Sequence, residues 1–144
     1  MGNQLPPAVA ERIGFLTGRL NQTVQRMVRE QGMFGDELSG RHFGCLTVII
    51  DEGPLSQQEL GDRMRIDRTT IVSVVDELEQ ANLVERRRNP SDRRAYALEA
   101  TAAGRQWQGS ARKAVLDAER ELLAPLSAPE RKKLISLMQR VLLG

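Results

Sequence analysis

The chain has 144 residues, 40% of them hydrophobic and only 3% aromatic, with a formal net charge of +2 at pH 7. That length supports one or at most two cores; no apolar run reaches the roughly 20 residues a membrane helix needs, and no basic-then-apolar start reads as a secretion signal, so a cytoplasmic protein with no membrane association is expected. One cysteine excludes an internal disulfide, and one cysteine with one histidine is too few ligands for a zinc site, so neither metal nor cofactor is expected.

Pro6-Pro7 precede an expected helix from about Ala8 to Gln31, where Val9, Ile13, Leu16, Leu20, Val24 and Met27 recur at steps of three and four. Gly32 and Gly35 break it, and a second helix is expected from about Asp36 to Glu52, with Phe43, Leu46, Ile49 and Ile50 toward the core. Gly53-Pro54 ends that helix. It carries His42 and Cys45 three residues apart. Cys45 reads as buried and inert; the competing reading, a thiol redox sensor, requires an exposed thiol of low pKa.

Ser56 followed by Glu59 is a capping box and starts a short helix with Leu60 and Met64 on one face. Gly61 in its middle costs about 1 kcal/mol relative to alanine, which points to a second helix crossing closely there. Arg65-Ile66 form a turn and Asp67 caps the next helix. In that helix Ile71, Val74, Val75 and Leu78 make an apolar stripe, while Thr69, Thr70, Ser73 and Asp76 lie opposite. Short hydroxyl side chains near a helix start suit base edges in a major groove, although a plain amphipathic helix with a solvated face has the same pattern.

Leu83 to Arg88 and Arg93 to Leu98 read as two strands joined by the turn formers Asn89-Pro90-Ser91-Asp92. From Arg86 to Arg94 there are five arginines against one acid. Residues 51–99 nevertheless hold eight arginines and eleven acids, so this hairpin is a basic tip on an acidic module. Such a hairpin beside a helix-turn-helix is a winged helix, its wing reaching phosphates or the minor groove. Thr101 then caps a long helix to about Leu123 that carries Trp107, Ala111, Ala114, Val115, Ala118 and Leu122. Pro125 breaks it, Ser127 and Glu130 form a second capping box, and Leu134, Leu137, Met138, Val141 and Leu142 line a last helix. No Ser-His-Asp or Cys-His arrangement, phosphate loop or carboxylate pair stands out, so no enzymatic activity is expected.

Leu55-Ser56-Gln57-Gln58-Glu59-Leu60, the helix Asp67 to Leu78, Glu79 to Arg86, and above all Asn89-Pro90-Ser91-Asp92-Arg93-Arg94 with Leu98 and Thr101-Ala102-Ala103-Gly104 closely resemble the MarR family of bacterial transcriptional regulators. The resemblance extends over nearly the whole chain. Two positions depart from the family pattern: Gly61 replaces the usual alanine, and Asn82 stands where glycine usually ends the recognition helix. Asparagine tolerates the left-handed conformation needed there.

The resemblance implies a mainly α winged helix-turn-helix with a small β-hairpin wing, six helices and a dimeric state. Residues 1–35 and 101–144 are then the dimerisation helices around a DNA-binding domain at 36–100, in one intertwined unit. A two-fold dimer also buries the apolar stripes of the terminal helices and supplies two reading heads. The expected function is repression at a pseudo-palindromic operator in double-stranded DNA. Thr69, Thr70 and Ser73 are expected in the major groove, with Arg68 at a phosphate or base. Arg94 is expected in the minor groove, oriented by Asp92, and Arg93 and Arg86 at phosphates. Ser56 and Gln57 are expected to offer backbone N–H groups to a phosphate. Family members often bind anionic aromatic effectors between the dimer helices and the winged domain. Arg12, Arg19, His42 and Trp107 are candidates for that cleft by position, against a core role for Trp107 and solvated roles for the arginines. The competing class is a winged-helix protein-interaction module or antirepressor that does not bind DNA; five wing arginines weigh against it.

Overall fold

The computed structural model describes residues 5–89 and 92–144, with side chains other than those of residue 89 and residues 92–95. Seven helices and one three-stranded antiparallel sheet are formed among them. The expected first helix is two: α1 (Pro7–Ala10), a single turn, and α2 (Ile13–Glu30). They part at Arg12, which is extended with φ −98° and ψ 114°. The apolar spacing of Val9, Ile13 and Leu16 runs straight across this break, so periodicity does not register it, and the expected six helices become seven. Helix α3 (Gly40–Glu52) starts later than the expected Asp36 because Gly35 N–H bonds to Leu38 O at 3.0 Å and closes a turn first.

The helix-turn-helix follows its capping signals. At the head of α4 (Gln57–Met64) the Ser56 hydroxyl accepts the Glu59 N–H at 3.0 Å, and the Glu59 carboxylate accepts the Ser56 N–H at 3.4 Å. The helix ends on Arg65 in the left-handed region, φ 51°. Gly61 is buried, and a Cβ there would sit 3.3 Å from Ile66 O and 3.5 Å from Ile71 Cγ2. The next helix does cross closely at that point. It is α5 (Arg68–Gln80), capped by Asp67 and followed by Asn82 at φ 59°.

The wing is β2 (Val84–Asn89) and β3 (Asp92–Ala100). A third strand, β1 (Leu55–Ser56), pairs with β3 through Leu55 and Leu98 and has no signal of its own in the sequence. Buried Leu46, Ile49, Leu55, Leu60, Ile71, Val75, Leu78, Val84 and Leu98 form the core under the sheet.

A second core lies between α2 and α6 (Ala102–Leu122), where buried Ala111, Ala114 and Ala118 face Val28 and Phe34. Three alanines at that spacing let the two helix backbones approach closely. Trp107 packs against both cores and joins them. The head of α6 is knotted to the end of α5. The Thr101 hydroxyl donates to Asn82 O at 2.7 Å and accepts Gly104 N–H at 2.9 Å, while Thr101 N–H bonds to Leu83 O at 3.0 Å.

The last helix, α7 (Ala128–Leu143), has no buried residue and only glancing contact with the rest of the chain. Ile135, Leu137, Met138, Val141, Leu142 and Leu143 are exposed on it, Val141 to 82%. Ile13 and Phe15 at the start of α2 are exposed as well.

Candidate nucleic-acid interface

Helix α5 buries Ile71, Val74, Val75 and Leu78 and leaves Thr69, Val72 and Ser73 outward, at i, i+3 and i+4. Val72 is absent from the residues expected at DNA. It is an exposed β-branched residue between two hydroxyls, and its spacing from Thr69 is the signal that finds it. Thr70 differs from the expectation. It is half-buried, its N–H reaches Asp67 Oδ1 at 3.3 Å, and its hydroxyl donates to Asp67 Oδ2 at 2.8 Å, so it belongs to the cap. Arg68 is exposed and lines a shallow cleft of about 340 Å³ with Gln57, Gln58, Gly61, Asp62, Ile66 and Ile71. This cleft runs between the heads of the two helices.

Ser56 also differs, because its N–H is taken by Glu59 within the capping box. These bonds from Ser56 hold the Glu59 carboxyl below its usual value, with Arg63 adding to them. The first helical N–H groups, at Gln57 and Gln58, lack an i−4 carbonyl inside α4.

In the wing, register divides the arginines. Arg86 stands opposite buried Leu98, two residues on from buried Val84, so it lies on the sheet face that meets α5. Its guanidinium pairs with Asp76 and, at 3.4 Å, with Glu79 of α5. The sequence puts Arg86 at a phosphate; the fold makes it a strut between wing and recognition helix. Arg87 is on the opposite face, where it pairs with Glu85 at 2.6 Å and Glu99 at 3.1 Å. Arg88 is exposed at the wing. Asp92, Arg93 and Arg94 lie in β3, but the expected pairing of Asp92 with Arg94 concerns side chains outside the described residues, as does the Pro90-Ser91 tip.

The four effector candidates are not brought together. Arg12 is the exposed residue preceding α2, and Arg19 lines a groove with Leu16, Leu20, Arg26 and Leu122. His42 is 7% exposed, its Nδ1 accepting Ser39 N–H at 3.1 Å and its Nε2 2.7 Å from Glu77 Oε2. Trp107 is half-buried against the two cores, 6.3 Å between ring centroids from Phe34. A separate open pocket of about 650 Å³ lies between α2, α3 and α6 and the turn of the helix-turn-helix. Asn21, Gln25, Phe34, Arg41, Phe43, Met64, Ile66 and Glu119 are among its lining residues, and the four candidates are not.

Cys45 is fully buried, and burial pushes its thiol up to about 11 against a smaller lowering by Arg41. At neutral pH it is a thiol, not the thiolate that oxidants attack. Cys45→Ala is expected to leave DNA binding and its response to peroxide unchanged, at a cost of about 1 kcal/mol in stability. Peroxide-triggered release of DNA by the native protein and not by the variant, in a gel-shift titration, would make the thiol a switch. Among the described residues no group of three or more candidate metal ligands is present, and no helix is long and apolar enough to cross a membrane.

A family model described as "MarR family" matches residues 38–96, the segment that holds α3, the helix-turn-helix and the wing. The chain is 39% identical over 99 residues to a candidate transcriptional regulatory protein for the hcr operon in Thauera aromatica, covering 69% of this chain. That match takes in 60% of the relative, so the chain spans less than two thirds of its length. In three dimensions it resembles the PcaV transcriptional regulator of Streptomyces coelicolor in complex with its natural ligand, with a TM-score of 0.79 and 28% identity over 96% of each chain. It also resembles the transcriptional repressor CouR bound to a 23-mer DNA duplex, with a TM-score of 0.80 and 27% identity over 96% of this chain and 98% of that one. These relatives are transcriptional regulators, not enzymes.

Proposed function

The chain belongs to the MarR family of transcriptional regulators, and we propose that it acts as a homodimeric repressor whose α5 helices read a pseudo-palindromic operator. The observation that carries this reading is the outward face of α5: Thr69, Val72 and Ser73 lie on one side, within the first two turns, next to Arg68 and a basic wing. Hydroxyls offer donors and acceptors to base edges, and the Val72 methyls suit a thymine methyl. Arg68 and the N–H groups of Gln57 and Gln58 hold the phosphates on either side. Arg94 of the wing enters the minor groove, and Arg93 adds a phosphate contact. The resemblance to CouR on DNA supports this docking.

Dimerisation follows from the apolar surface of α7 and of the start of α2, which is too extensive to leave in water. Repression, and not activation, follows the function named for CouR. The pocket between α2, α3 and α6 takes an aromatic carboxylate, with Arg41 for the anion and Phe34 and Phe43 for the ring; PcaV, crystallised with its natural ligand, supports an effector of this kind. Met64 and Ile66 belong to the reading head, so an occupant that pushes on them changes the spacing of the two heads and releases DNA.

Selection from a pool of random duplexes is expected to enrich one inverted repeat with half-site centres about 10 bp apart, one turn of the duplex. Footprinting on the enriched duplex then shows protection on one face. A protein that enriches no sequence and is released from heparin at low salt favours the protein-interaction reading.

A further inference from the structure

The C-terminal half of α5 carries three acids, Asp76, Glu77 and Glu79, and is gripped on two sides. Arg86 of β2 takes Asp76 and Glu79. On the other side stands His42, in the first turn of α3. Its Nε2 is 2.7 Å from Glu77 Oε2, and its Nδ1 accepts Ser39 N–H at 3.1 Å with the Ser39 hydroxyl 3.0 Å away. A backbone donor at Nδ1 leaves the ring proton on Nε2, so the imidazole donates to Glu77 while it caps α3. The His42 side chain is 9% exposed and the Glu77 side chain 43%, so the imidazole is buried while the carboxylate keeps one side in water, and a ring held at both ends is fixed in place.

The anchor is itself fixed. Gly40 N–H donates to Gln25 of α2 at 3.1 Å, and Ser39, Gly40 and Arg41 form one wall of the pocket between α2, α3 and α6. Glu77 lies one turn beyond Ser73, on the flank of α5 between the outward face and the buried stripe, where its carboxylate meets His42. Beyond its aliphatic packing and the Arg86 pairs, α5 is held by this bond, which at 2.7 Å is near its shortest and weakens as Glu77 moves away.

We propose that His42 is a positioning residue for operator reading, seating the recognition helix through Glu77. This rests on the reading of α5 as the DNA-reading helix. The test compares wild type, His42→Ala, Glu77→Ala and the double variant, each binding the duplex that wild type enriches from a random pool and a scrambled duplex of equal length. The readout is the ratio of the two affinities. Glu77→Ala removes a negative charge and tightens both duplexes alike, so the ratio cancels that effect. Each single variant is expected to lower the ratio about fivefold, and the double variant no further, because both ends of one contact are lost together. His42→Gln keeps a side-chain acceptor for Ser39 N–H, cannot reach both ends, and is expected to give the same fall; it replaces His42→Ala in the cycle if the alanine variant does not fold. A merely structural role lowers the melting temperature and leaves the ratio unchanged, which would overturn the proposal, as would additive losses. A wild type that enriches no duplex fails at the first step, before any variant is compared, and takes the DNA-reading assignment with it.

Discussion

Replacing Gly104 with alanine is expected to lower the melting temperature by about 10 °C, the equivalent of about 3 kcal/mol. The usual effect has the opposite sign, since alanine in place of glycine inside a helix gains about 1 kcal/mol. The difference lies in what the new methyl meets. A Cβ at Gly104 would stand 2.0 Å from Leu83 O and 2.9 Å from the Leu83 carbonyl carbon. Both are backbone atoms, and neither has a rotamer to change. Leu83 is also tied down, its N–H on Leu78 O at 3.0 Å and its carbonyl taking Thr101 N–H at 3.0 Å. The added methyl therefore has to lift α6 off the end of the recognition helix. Gly109, in the same helix, is the control, because a methyl added there would meet no heavy atom within 4 Å. Gly109→Ala is expected to gain up to about 1 kcal/mol. Thermal melts followed by circular dichroism decide between them, and a rise for both variants would contradict the knot between Thr101, Gly104 and the Asn82–Leu83 turn.

Truncation before Ser127 is expected to abolish the dimer. Helix α7 takes almost nothing from its own chain, and a 16-residue helix standing alone in water is marginal. Its order requires a surface to lie on. Six large apolar residues on it are exposed, and at about 1.5–3 kcal/mol for each one fully buried they supply on the order of 10 kcal/mol toward association. That is enough to offset the cost of joining two chains only if most of them are covered. The truncated chain is expected to sediment as monomer or aggregate, with both hydrophobic cores formed but operator affinity reduced at least tenfold, since two independent heads lose the advantage of linkage. A truncated chain that sediments as a dimer and binds operator at full affinity would place the interface elsewhere.

The elements that local chemistry writes were legible. Ser56 with Glu59 and Ser127 with Glu130 form their capping boxes, Asp67 caps α5, and Asn82 takes the left-handed turn. The stripe of Ile71, Val74, Val75 and Leu78 is buried as its spacing requires. Features that depend on distant partners were not legible. Strand β1 is two residues long and exists because Leu98 is there to pair with Leu55. Arg86 reads as a DNA contact until register sets it against α5, 10 residues back in the chain from Arg86 to Asp76. His42 is adjacent to nothing in sequence that announces Glu77, 35 residues away. Val72 is hidden for another reason: an apolar residue next to buried Ile71 reads as core, and only the helical angle shows it facing out with Thr69 and Ser73.

In the proposed function α5 and the wing both bind DNA, one for sequence and one for the backbone and minor groove. Titration of the enriched duplex with wild type, Arg94→Ala and Ser73→Ala at several salt concentrations separates these roles. The wing arginine suits a narrow, electronegative groove, so Arg94→Ala is expected to lose about 1–3 kcal/mol and to reduce the salt slope by about one per subunit. Ser73→Ala is expected to keep the slope and to change which base is preferred at its position. Arg94→Ala binding like wild type across the whole salt range would contradict the account, because the wing would then make no contact with DNA.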